Sequence, residues 1–181
     1  MKRAAKSPRE SAQPQKSPSV AQTNRYMSSG ELGEQYFETH EVKMNTFGFD
    51  TAPVLLYTDG LGPCIGVCIA WQQWAGIAHL GSLDEHDELP KFIEQSKEFL
   101  PEDARHNVCP VMCGGDPGEY AGDVFESRKV VVEALKHAGF GKLNLCWNDE
   151  GETTSLVAYL KHGIICVESS VRATKAFPIT D

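Results

Sequence analysis

Short apolar runs separated by turn residues dominate the chain between residues 54 and 80. Val54–Thr58, Cys64–Trp71 and Gly76–Leu80 are rich in apolar, β-branched and aromatic residues. A glycine-rich segment, Asp59-Gly60-Leu61-Gly62-Pro63, separates the first two runs, and Gln72-Gln73-Trp74-Ala75 separates the second pair. This pattern predicts three strands that follow one another as an antiparallel meander.

Beyond residue 87 the spacing of the apolar positions changes, and helices are predicted to alternate with strands. The predicted helices are Glu88–Leu100, Val124–Ala138 closed by Gly139, and Thr154–Lys161 closed by Gly163. The predicted strands are Asn107–Cys113, Leu143–Trp147 and Ile164–Val167. Three strands followed by this alternation indicate an α/β (α+β) fold, a mixed layered sheet with early antiparallel strands and helices packed on it.

The first 29 residues differ from the rest in composition. Residues 1–29 are mostly Ser, Pro, Gln, Lys and Ala with one aromatic residue, Tyr26, and we predict a disordered basic leader. Two interpretations of it stay open: a solvated leader, or a secretion signal of the unfolded, Ser-rich kind that exports bacterial effectors. Residues 30–181 are expected to form a single domain, because 181 residues with 41% apolar content can bury one core.

The charge and the hydrophobicity of the chain argue against two kinds of partner, nucleic acids and the membrane interior. Residues 1–25 hold six of the 17 basic residues and one of the 25 acidic ones, which leaves 11 basic, 24 acidic and a net charge of −13 beyond residue 25. Such a domain repels phosphate groups, so we predict no nucleic-acid partner. The chain has no apolar run of about eighteen residues and no h-region, so neither membrane insertion nor a Sec signal is predicted.

The cysteines and histidines do not predict a metal site or another cofactor. Most of the six cysteines lie in apolar, strand-like runs, which is typical of buried thiols in a reduced, intracellular protein. His106, Cys109 and Cys113 suggest zinc, but a Cys-x₃-Cys spacing interrupted by Pro110 lacks the tight Cys-x₂-Cys pattern of zinc sites. Asp84-Glu85-His86-Asp87 is interpreted as a solvated loop and helix start.

A cysteine and a histidine are placed where they could react together. The glycine-rich turn delivers Cys64 to the first position of an apolar strand, at a sheet rim, and His79 ends the strand expected to pair with it. A neighbouring imidazolium lowers the thiol pKa from about 8.5 into the reactive range. The pair predicts nucleophilic catalysis, and a buried structural thiol is the alternative. Cys68 is predicted to be core. Trp74 is interpreted as core or rim packing, and a place in the lining of a substrate groove is the alternative.

The segment from Thr58 to His79 resembles the CheD-type chemoreceptor glutamine deamidases and, more distantly, the catalytic domains of cytotoxic-necrotizing-factor-like deamidase toxins. The resemblance rests on Thr-x-Gly-Leu-Gly-x-Cys followed by Ala-His at a strand end, and it covers about residues 58 to 80. It implies a CheD-like domain in which Cys64 is the nucleophile, His79 is the base and Thr58 helps to hold the imidazole. It also implies hydrolysis of a Gln side chain in a target protein to Glu through a Cys thioester, with no cofactor.

Pro63 departs from the family pattern, which usually has Ser or Gly directly before the cysteine. Proline has no backbone N–H, so an oxyanion hole would have to use the Cys64 N–H and groups elsewhere, and one lost donor costs roughly a hundredfold or more in turnover. Two other functions therefore stay open: a catalytically inactive binding module of the same fold, and a Cys/His thiol protease or amidase.

The resemblance leaves two biological roles open. A chemoreceptor deamidase would act in the bacterial cytoplasm, whereas an effector or toxin would act on a host protein after export by a non-Sec route. The oligomeric state is not predicted.

Overall fold

The computed structural model describes residues 38–81, 87–118 and 121–180. The predicted leader at residues 1–29, its boundary with the domain, and residues 84–86 of the acidic segment lie outside this part of the chain. Within the described ranges, no helix has the length and apolar character needed to cross a membrane.

The described residues form ten strands and two α-helices. The strands are β1 (Thr39–Glu41), β2 (Thr46–Thr51), β3 (Leu55–Leu61), β4 (Ile65–Trp71), β5 (Trp74–Leu80), β6 (Val111–Gly114), β7 (Asn144–Trp147), β8 (Thr154–Tyr159), β9 (Ile164–Ser169) and β10 (Lys175–Pro178). The helices are α1 (Glu88–Phe99) and α2 (Ala121–His137). The α+β class predicted from the sequence is confirmed.

The strands are arranged in two mixed five-stranded sheets. The first sheet has the order β1-β3-β8-β9-β10, and the second has the order β2-β5-β4-β6-β7. Only β1–β3 in the first sheet and β6–β7 in the second are parallel pairs. The predicted meander is therefore split: β4 and β5 form an antiparallel hairpin in the second sheet, whereas β3 belongs to the first.

The two sheets and the helices form three layers, and an apolar cluster lies between each pair of neighbouring layers. One cluster lies between the sheets and includes Leu56 and Ile77, and the other lies between the second sheet and the helices and includes Phe92 and Met112. Because side chains alternate along a strand, β4 and β5 contribute to both clusters, one from each face. The second sheet is thus the middle layer, which explains why every residue of β5 is buried.

The predicted helix Thr154–Lys161 is wrong. The segment forms strand β8 and a short 3₁₀ turn, Leu160–His162. Leu156 and Leu160 have helical spacing, and Gly163 does end a turn, with φ 65° in the left-handed region. However, β8 pairs with β3 on one side and β9 on the other, and this pairing outweighs the weak local preference for a helix.

Candidate active site

The candidate site lies between the two sheets, at the open end of the β4–β5 hairpin. Gly66 pairs with His79, and Cys64 lies two residues before Gly66, so Cys64 and His79 are diagonal neighbours on the same face. Such neighbours have Cα atoms about 7–8 Å apart. Cys64 packs against the cluster between the sheets, so this face is turned toward the first sheet. As the sequence predicted, the two residues share one end of a hairpin.

Thr58, on β3 of the facing sheet, holds the ring of His79. Its Oγ1 lies 2.7 Å from His79 Nδ1 and 2.7 Å from the backbone carbonyl oxygen of Val42. A carbonyl oxygen can only accept, so the Thr58 hydroxyl donates its single proton to Val42 and accepts from Nδ1–H. In the neutral ring the unprotonated nitrogen is then Nε2, and a base acting on the thiol would need this tautomer.

The surroundings of His79 favour the neutral form of its ring. The side chain is only 5% exposed, and burial lowers the pKa of His79, while the negative charge of Asp59 acts in the opposite direction. Its Nε2 is enclosed and has no hydrogen-bond partner in the described part of the chain. A buried acceptor without a partner is costly, and such atoms are often found where a group acts in chemistry.

Cys64 differs from the core cysteines in its exposure. It is partly exposed, and its Sγ lies 3.8 Å from Met44 Sδ, within reach of a weak S–H···S hydrogen bond. Cys68 is fully buried, as predicted, and burial raises its pKa. Burial likewise raises the pKa of Cys113 to about 12 and that of Cys166 to about 11. These core thiols stay protonated, which makes them poor nucleophiles.

Two segments distant in sequence support the loop that carries Cys64. The Gly115 N–H donates to the Cys64 carbonyl at 2.7 Å, and Asn148 Nδ2 donates to the Leu61 carbonyl at 2.7 Å. The guanidinium of Arg128 joins these two segments, because its Nη2 donates to the carbonyls of Gly115 at 2.6 Å and Asn148 at 2.8 Å. The position of the Cys64 backbone therefore depends on contacts from outside the hairpin.

Gly114 allows the close approach of β6 to this loop. Its φ is 87°, in the left-handed region, and a Cβ atom added there would lie 2.2 Å from the Cys64 carbonyl oxygen. No other amino acid fits such an approach without moving the backbone. Two glycines directly after the apolar run that ends at Cys113 were a signal of close backbone packing that the strand prediction did not use.

The two residues before Cys64 offer no backbone donor to an oxyanion. Pro63 has no N–H, and the Gly62 N–H donates to the Gly60 carbonyl at 2.9 Å. This agrees with the expectation drawn from Pro63 that any oxyanion hole uses other groups.

Two further residues of the site carried no usable signal in the sequence. Val42 contributes a backbone carbonyl, which any residue type could supply, and Met44 reaches Cys64 from a turn that the apolar pattern did not locate. Only the three-dimensional pairing of β1 with β3 and of β2 with β5 brings them to this end of the sheets.

Trp74 packs in the core, as its main interpretation expected, and it lies far from His79. Trp74 begins β5, and His79 follows five residues later, so the two lie about 17 Å apart along the strand at 3.4 Å per residue. The Trp74 ring packs instead against Phe49 and Phe99, with centroid distances of 6.2 and 5.2 Å. Trp74 therefore belongs to the opposite end of the hairpin.

Comparison with known proteins adds no family to this description, because no protein-family model and no curated protein sequence matches the chain. Within the described residues, no group of three or more His, Cys, Asp and Glu side chains could hold a metal ion. A functional proposal therefore rests on the residues of the site and on the resemblance that their order carries.

Proposed function

We propose that this chain is a protein-glutamine deamidase, an amide-bond hydrolase of the Cys-His type. The observation that carries the proposal is the contact of Thr58 with both the Val42 carbonyl and His79 Nδ1, which leaves Nε2 as the basic nitrogen on the face that also carries Cys64. The motif that resembles CheD-type deamidases supplies the substrate class, a glutamine side chain in another protein.

The proposed reaction has two stages. His79 Nε2 accepts the proton of the Cys64 thiol, and the sulfur attacks the carboxamide carbon of the substrate. The carbon–nitrogen bond then breaks, His79 returns the proton to the departing nitrogen as ammonia, and a thioester remains on Cys64. In the second stage His79 removes a proton from water, the resulting hydroxide attacks the thioester, and Glu leaves as the thiol is restored.

A protein substrate fits the exposure of the nucleophile. Cys64 is partly exposed at the rim of a sheet, where a protruding glutamine of a partner can reach it. Two partners fit the resemblance: a chemoreceptor in the bacterial cytoplasm, or a host protein met after export by a non-Sec route. The acidic charge beyond residue 25 favours a substrate with a basic or neutral surface around the glutamine.

The test is ammonia release from panels of bacterial receptors and host proteins, with mass spectrometry of the product for conversion of Gln to Glu. We expect Cys64→Ser to slow release by at least about a thousandfold, because a hydroxyl is a much weaker nucleophile than a thiolate. Cys109→Ser is the matched control, since Cys109 is also partly exposed but lies outside the site. Equal release by wild type and Cys64→Ser would refute the proposal.

The loop before Cys64 favours a second candidate, an inactive binding module of the same fold. Pro63 and Gly62 provide no N–H for an oxyanion, so the chain could keep the fold and dock a partner without turnover. Absence of ammonia release from every protein of both panels, together with capture of a receptor or host protein by wild type and Cys64→Ser alike, would support this candidate over the deamidase.

A further inference from the structure

The turn between β1 and β2 contacts every member of the candidate site. The Val42 carbonyl accepts from Thr58, the Asn45 N–H donates to the His79 carbonyl at 2.8 Å, and Met44 Sδ lies 3.8 Å from Cys64 Sγ. The first two contacts involve the backbone of the turn and hold the base. The third involves a side chain and touches the nucleophile, and the proposed reaction gives it no role.

The backbone of this turn is firmly held. The Lys43 carbonyl accepts from the Thr46 N–H at 3.2 Å and from the Thr46 hydroxyl at 2.6 Å, which closes the turn. Asn45 adopts a φ of 59°, a left-handed conformation that Asn tolerates, and its Oδ1 accepts from the Gly81 N–H at 2.9 Å. Any movement near Cys64 is therefore more easily made by the Met44 side chain than by the turn itself.

Met44 is apolar yet 58% exposed. Its side chain is unbranched, with three rotatable bonds, so it can leave the sulfur of Cys64 without disturbing the core. Cys64 Sγ lies beside it at the rim, and His79, with its enclosed Nε2, lies on the same face as Cys64. Met44 Sδ thus occupies part of the space beside the thiol that an approaching carboxamide needs.

We propose that Met44 is a specificity-determining gate over Cys64, which admits a narrow, unbranched side chain and excludes bulkier groups. The inference rests on the proposed function, because the glutamine side chain is the group that the gate would select. Glutamine carries its carboxamide on two methylene groups, and such a chain can displace Met44 and reach the sulfur. A branched or aromatic group would require Met44 to move farther from the sulfur, and the gate would oppose this movement.

The test measures alkylation of Cys64 in the full chain by two reagents of different width, iodoacetamide and N-phenylmaleimide. Mass spectrometry of the Cys64 peptide separates this thiol from the other five cysteines. The variants are Met44→Ala, which removes the gate, and Met44→Leu, which keeps an apolar side chain of similar size. Leu145→Ala is the control, because Leu145 is 47% exposed on β7, at an edge of the same sheet and away from Cys64.

If the gate stands open about a tenth of the time in the wild type, Cys64 of Met44→Ala should react about tenfold faster with the maleimide than Cys64 of the wild type does. The increase in rate with iodoacetamide should be smaller. Met44→Leu should keep the selectivity of the wild type between the two reagents, and Leu145→Ala should match it in both rates. An unchanged rate ratio in Met44→Ala, or the same rise in Met44→Leu as in Met44→Ala, would overturn the gate.

Failure of the gate and failure of the deamidase give different results. Alkylation needs neither a substrate nor turnover, so the gate can be refuted while ammonia release still depends on Cys64. Conversely, if the chain releases no ammonia but shows the predicted change in selectivity, the gate is supported and the deamidase proposal is refuted.

Discussion

The two ends of the β4–β5 hairpin differ in the types of residue that surround them. At the turn end, Trp74 packs against Phe49 and Phe99, and Phe49 also stacks on Phe92 with a centroid distance of 5.5 Å. At the open end, small residues and hydrogen-bonded polar groups replace the aromatic rings, and His79 keeps an enclosed nitrogen without a hydrogen-bond partner among the described residues. Among the described residues both ends hold a buried ring nitrogen without a hydrogen-bond partner, Trp74 Nε1 at the turn end and His79 Nε2 at the open end, but only the imidazole nitrogen can act as a base.

The contrast separates two tasks within one pair of strands. Large aromatic rings bury area and anchor the hairpin on the helix layer, which requires no chemical reactivity. At the open end the paired residues Ile65 and Leu80 are also buried, and the geometry of the site depends in addition on hydrogen bonds to Thr58 and Gly115. Substitutions at the two ends should therefore affect different observables, stability at one end and thiol chemistry at the other.

The largest effect is expected at the turn end. Trp74→Ala removes a ring that is 8% exposed and packs against two phenylalanines, so it should lower the free energy of unfolding by about 3–5 kcal/mol. Urea unfolding measures this loss. The rate of Cys64 alkylation, measured well below the unfolding midpoint, should stay that of the wild type. A fall in the alkylation rate of Cys64 that accompanies the loss of stability would show that the two ends are coupled. The contrast between the two ends would then be wrong.

Thr58→Val is expected to lower stability less than Trp74→Ala does and to slow the proposed reaction directly. The change keeps the shape of the side chain but leaves His79 Nδ1–H and the Val42 carbonyl without their shared hydroxyl, at a cost of about 1–3 kcal/mol. The kcat for ammonia release should fall by about 10- to 100-fold, because the ring loses its fixed tautomer. Thr58→Ser retains the hydroxyl and should restore most of both quantities; a Ser variant as slow as Val would contradict the tautomer argument.

The smallest effect concerns the titration of His79, which NMR of the imidazole follows directly. Burial lowers its pKa, so the midpoint in the folded protein should lie below 6.5, and Asp59→Asn should move it lower still by removing a negative charge that raises it. Because the unfolded chain then binds the proton more readily, stability should fall as the pH drops from 6.5 through the folded midpoint. A midpoint above 6.5 would contradict the assignment of His79 as a neutral base.

The local part of the fold and site was predictable, and the long-range part was not. The β4–β5 hairpin with Cys64 and His79 at one end follows from alternating apolar runs and a short turn. The strand at Thr154–Tyr159 was misread because its burial comes from neighbours on both sides, which local spacing does not reveal. The strand at Thr46–Thr51 was missed because a glycine and an acidic residue interrupt its apolar pattern, although it places Met44 beside Cys64.

The support of Cys64 by Gly115, Asn148 and Arg128 also links the position of its thiol to the completion of folding. Asn148 contacts a residue 87 positions earlier in the chain, so this support is complete only after most of the polypeptide has been synthesised and folded. A nascent or unfolded chain carries Cys64 and His79 close in sequence but lacks the framework that aligns them. Under the proposed function, such a chain would therefore be inactive until its folding is complete.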